Sequence, residues 1–168
     1  MKFVTTRFND KHFRETWSKQ LVKLQTEKLE AYAQKELEEM VKSHDFKNRT
    51  YNLQDSFCWI LFFNGKERSH GFYGSGRSSE NTILHERSSE RVELPTGRLM
   101  AEDFVVHYTP VTTKGWEIVW ASTVPYGVFL EDGTTPMKHS YYVITQRYDA
   151  IKSELSPMCK VTVERKYI

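Results

Sequence analysis

The sequence predicts an α+β fold: a long N-terminal helix and a second helix packed on a mixed or antiparallel β-sheet, with a long loop or β-arm inserted. Three observations carry this. Apolar residues recur at helical spacing from Lys11 to Ser43 with no Gly or Pro between them. Phe57-Cys58-Trp59-Ile60-Leu61-Phe62-Phe63 is a continuous apolar run too short for a helix of its own, which reads as a central strand buried on both faces. The remaining segments then follow as irregular stretch, two strands, helix, strand, an order that places two helices on one side of a sheet. At 168 residues the chain fits one domain, 1–168, with 64–100 as the insertion.

In chain order, residues 1–11 read as a short strand or arm. The first helix carries Phe13, Trp17, Leu21, Leu24, Ala31 or Tyr32, Leu37, Met40 and Val41 on its apolar positions. Its other side pairs Lys23 with Glu27 and Lys35 with Glu39 at i,i+4 spacing. At ~1.5 Å per residue such a helix is ~45 Å long, more than a small domain can cover, so part of its stripe is expected against a neighbouring subunit. Ser43 to Asn52 is a polar connector. Asn64-Gly65 closes the central strand with a strong hairpin signal.

From Lys66 to Met100 the sequence is rich in Gly and Ser and reads as an extended loop or β-arm that orders against other subunits. Gly71, Gly74 and Gly76 run in the reverse order of a dinucleotide fingerprint, with no strand leading into a helix, so phosphate cradling is not expected. Basic residues in this stretch, Arg77 among them, alternate with acids. Ala101–Tyr108 and Lys114–Thr123 read as antiparallel strands. Pro125 ends the second, and Asp132-Gly133 marks a turn after the apolar Tyr126–Leu130. Ser140–Leu155 has helical spacing, closed by Pro157, and Val161–Ile168 alternates as a final strand.

Composition narrows the function classes. The net charge of +2 is too balanced for a dedicated nucleic-acid binder. Cys58 and Cys159 form no metal-spaced pair, and Cys58 reads as a buried thiol in an apolar run. Histidines 44, 70, 85, 107 and 139 show no metal-ligand spacing, and no nucleophile elbow or phosphate loop is present. No catalytic, metal or cofactor residue is therefore expected. The N-terminus lacks an apolar signal-peptide core and no run approaches the ~20 apolar residues of a membrane span, so a membrane is not an expected partner.

One resemblance bears on function. Tyr126-Gly127-Val128-Phe129-Leu130-Glu131-Asp132-Gly133-Thr134 resembles the Tyr-Ala-x-x-x-Glu-x-Gly-Thr signature of tailed-bacteriophage tail-completion and head–tail joining proteins, with Gly127 where alanine is usual. A second family mark, Thr-Gly-x-Leu-x-x-Ser, has two partial counterparts. Thr50-Tyr51-Asn52-Leu53-Gln54-Asp55-Ser56 has Tyr51 in the glycine place, and Pro95-Thr96-Gly97-Arg98-Leu99 lacks the serine. The resemblance spans roughly residues 42 to 148. It implies a virion structural protein made in the host cytoplasm, a subunit of a hexameric or dodecameric ring in the neck or tail. Portal and tail proteins would be its partners, with DNA passing through the channel without sequence-specific binding. The expected interface residues are Trp17, Leu21, Tyr51, Arg77, Tyr126, Phe129, Leu130 and Glu131. Rival readings are a small metal-dependent hydrolase or nuclease, and a nucleic-acid-binding adaptor.

Overall fold

The structure, a computed structural model, describes residues 10–42, 51–74, 82–85, 91–125, 127 and 144–157. Helix α1 spans Asp10–Lys42 and the short α2 Asn52–Asp55. Strands β1 (Phe57–Phe63) and β2 (Lys66–Phe72) follow, then β3 (Thr82–His85), β4 (Arg91–Leu94), helix α3 (Gly97–His107), strand β5 (Trp116–Ser122) and helix α4 (Tyr148–Leu155), which a single 3₁₀ turn at Thr145–Arg147 introduces. The main sheet is antiparallel with order β2-β1-β5, and β3 pairs with β4 in a separate two-stranded ladder. The α+β architecture is as the sequence predicts.

β1 is the centre of this sheet because both of its faces are apolar. Phe57, Trp59 and Leu61 join Ala33, Leu37, Met40 and Val41 of α1, with Ile151 of α4 in the same core. Cys58, Ile60 and Phe62 point the other way, onto Ala101 and Val105 of α3. The sheet therefore lies between α1 with α4 on one face and α3 on the other.

That third layer corrects the expectation of a strand over Ala101–Tyr108. The stretch is rich in Phe, Val and Tyr, which favours strand by composition. Yet Ala101, Phe104, Val105 and Tyr108 follow i, i+3, i+4, i+7 spacing, and all four pack on one core. The Thr96 side chain caps the helix by accepting from the Leu99 amide at 3.4 Å. Period and cap outweigh composition here.

The expected irregular stretch is also smaller than 64–100. Asn64 and Gly65 both take positive φ (51° and 72°), as a tight two-residue hairpin requires, and they return the chain directly into β2. Its polar composition, Lys-Glu-Arg-Ser-His, fits a sheet edge rather than a loop. Of the remainder, 82–85 and 91–94 form the second ladder and 97–100 begin α3. The expected arm at 1–11, apart from Asp10 and Lys11 at the start of α1, and the final strand at 161–168 lie outside the described residues.

α2 and α3 meet at a close backbone approach. The Gly97 amide donates to Asn52 Oδ1 at 2.8 Å, and a Cβ on Gly97 would lie 1.8 Å from the Asn52 carbonyl oxygen. Only glycine fits there. Tyr51, just before α2, has φ 59°, a left-handed conformation uncommon outside glycine and asparagine. Tyr51 occupies the glycine place of the first partial motif, and Gly97 belongs to the second. The structure brings the two stretches into contact.

Candidate assembly surfaces

α1 is ~50 Å long at 1.5 Å per residue, and among the described residues the core covers only its second half. Its first half carries a different apolar set. Trp17 is 50% exposed, Leu21 49% and Leu24 55%, at i, i+4, i+7 spacing. At 100° per residue these three share one stripe, about 180° around the helix from Ala33, Leu37, Met40 and Val41. The sequence pattern merged these two sets into a single face. They are two faces, one buried in the core and one about half exposed.

Of the other expected interface residues, Tyr51 is part-exposed at the start of α2. Arg77, Tyr126, Phe129, Leu130 and Glu131 lie outside the described residues. The corner leading to them is described as far as Gly127. Thr123 donates from its amide and its hydroxyl to the Ser56 carbonyl, both at 3.2 Å, and the Gly127 amide donates to the Val124 carbonyl at 2.9 Å. Gly127 packs on Ser122, whose Oγ would lie 2.6 Å from an added Cβ.

Further apolar surface comes from residues the sequence did not single out. Leu99 and Val106, seven apart on α3, are exposed, as is Val111 in the next loop. That loop is held by Glu117, whose carboxylate accepts from the Tyr108 hydroxyl at 3.2 Å and from the Val111 and Thr112 amides at 3.2 and 2.8 Å. Burial, with the Glu117 charge second, pushes the Tyr108 phenol up to about 12.

Polar groups inside the fold serve docking between elements. The Glu36 carboxylate is fully buried and receives two hydrogen bonds from Arg147, Nε at 3.0 Å and Nη2 at 3.1 Å. Trp59 Nε1 donates to Gln34 Oε1 at 2.8 Å, and Trp120 Nε1 to the Ala33 carbonyl at 3.0 Å, so these two sheet indoles are tied to α1.

Burial pushes the Cys58 thiol up to about 12, which suits a packing residue and not a nucleophile. His70 and His107 are exposed and pair locally with Glu67 and Asp103. Among the described residues no group of three or more His, Cys, Asp or Glu is placed to hold a metal ion, and no helix is long and apolar enough to cross a membrane. No family model, no curated protein and no solved structure matches this chain.

Proposed function

We propose that the protein is a structural subunit of a phage virion, one copy in an oligomeric ring of the neck or tail, and that it acts through assembly rather than turnover. The observation that carries the reading is the half-exposed stripe of Trp17, Leu21 and Leu24 on the half of α1 that lies beyond the core of the described residues. A tryptophan and two leucines left half-exposed on one stripe make a surface suited to association, and aromatic anchors dominate protein interfaces. The Tyr126–Thr134 resemblance supplies the identity of the assembly.

The test mixes the purified chain with purified portal and tail proteins of the phage that encodes it. Light scattering and negative-stain imaging then read the product. Ring-shaped particles containing the chain, and its presence in mature virions, are the expected outcome. Absence from virions together with no binding to portal or tail would overturn the proposal.

A further inference from the structure

The two outer edges of the main sheet are built differently. β2 carries Lys66, Glu67, Arg68 and His70, and its register with β1 shifts between Leu61 and Phe62. Charges and irregular pairing guard an edge against other strands. β5, Trp-Glu-Ile-Val-Trp-Ala-Ser, runs seven residues in unbroken register with β1. Its one charge, Glu117, is bound within its own chain by Tyr108, Val111 and Thr112. Among the described residues no strand lies on its outer side.

The hydrogen-bond phase of that edge can be read directly. Beyond the two ends of the β1–β5 ladder, the Asn64 amide donates to the Gly115 carbonyl and the Thr123 amide to the Ser56 carbonyl. Antiparallel strands alternate, so Glu117, Val119 and Ala121 exchange bonds with β1, while Trp116, Ile118, Trp120 and Ser122 turn their N–H and C=O groups outward.

We propose that this edge pairs with β5 of a second copy, antiparallel about Val119, so that two three-stranded sheets become one. The register is self-complementary. Centred on Val119, it sets Ile118 opposite the partner copy's Trp120 and Trp116 opposite its Ser122, all four being residues with outward backbone groups. Glu117 then faces Ala121, so no like charges meet. Shifting the centre to Ile118 or Trp120 shortens the overlap. A symmetric contact of this kind closes on itself as a dimer. It stands without the virion reading, and it is compatible with rings that associate in pairs.

Val119 on the dyad provides the test. It falls at a non-hydrogen-bonded site, where facing Cα atoms are about 4.5 Å apart. That lies within the range a disulfide spans, roughly 4.4–6.8 Å. Val119→Cys is made in a Cys159→Ser background, with Ala121→Cys and Trp17→Cys as parallel variants and circular dichroism checking each fold. The parent chain is expected to scatter with twice the 19.9 kDa monomer mass. Mild oxidation should link Val119→Cys into a covalent dimer and leave Ala121→Cys largely unlinked. A parent monomeric at every concentration, with no Val119→Cys linkage, would overturn the proposal. So would efficient linkage only through Ala121→Cys, which means another register, or only through Trp17→Cys, which assigns pairing to α1.

Discussion

Arg147 reaches across 111 residues of sequence to hold the buried carboxylate of Glu36 with two hydrogen bonds. The pair joins the turn before α4 to the last third of α1, beside the apolar contacts of Ile144, Ile151 and Leu155. Taking a carboxylate fully out of water is costly unless it is paired, and the Arg147 fork supplies that pairing.

Removing one partner is therefore worse than removing both. Breaking a buried pair costs about 3–5 kcal/mol, and with the Arg147 side chain 27% exposed, Arg147→Ala should fall near the lower end, ~3 kcal/mol. The double variant Glu36→Leu/Arg147→Met should recover most of that loss. Urea unfolding of the three proteins measures it. A double variant no more stable than Arg147→Ala would mean that the pair is not what secures α4.

The pH dependence of Tyr108 follows from its contact with Glu117. Its phenol is held up to about 12, chiefly by burial and then by the Glu117 charge and hydrogen bond. An unfolded tyrosine titrates near 10. The folded state keeps the proton to higher pH than the unfolded chain does. This stabilisation is thus complete below pH ~10 and is lost as pH rises towards about 12. Glu117→Gln removes the charge and leaves the burial, so the Tyr108 value should drop without returning to 10. Absorbance titration against a Tyr108→Phe reference reads the shift. An unmoved value in Glu117→Gln would refute the coupling.

How much of this was legible from the chain depends on whether the signal was local. β1 declared itself because seven apolar residues in a row have to be buried on both faces. The Asn64-Gly65 turn did so because its residue types are what positive φ demands. α3 was misread because Phe104, Val105 and Tyr108 are β-formers by composition, while the helical evidence lay in their spacing and in the Thr96 cap. The Glu36–Arg147 pair, the Asn52–Gly97 approach and the β1–β5 pairing join residues remote in sequence, and no local pattern announces them.

The two faces of α1 predict a separation of stability from assembly. Trp17→Glu with Leu21→Glu changes half-exposed positions outside the core of the described residues, where surface substitutions typically cost about 0.5 kcal/mol or less. The thermal midpoint should barely move, while, if the proposed virion role holds, incorporation into particles formed with portal is lost. Leu37→Glu, which places a charge in the core, should instead unfold the chain. Melting curves and co-sedimentation with portal distinguish the two. Normal assembly by the double variant would remove the stripe from the interface.

Gly127 stands where the resembling phage signature has alanine, and Ser122 gives a physical reason. A Cβ at 127 would come within 2.6 Å of Ser122 Oγ, whose position is set in part by a 3.2 Å hydrogen bond with Ser56 Oγ. Gly127→Ala must therefore turn that hydroxyl aside and lose the bond, at about 1 kcal/mol. Ser122→Ala leaves Ser56 Oγ still donating to the Leu53 carbonyl at 2.7 Å, so that change alone should be mild. In the double variant the obstacle is absent, and alanine at 127 should cost less than it does alone. The coupling is then favourable, about 0.5 kcal/mol or more, which a double-mutant cycle by chemical denaturation resolves. Strict additivity would show that the serine hydroxyl does not keep alanine out of position 127.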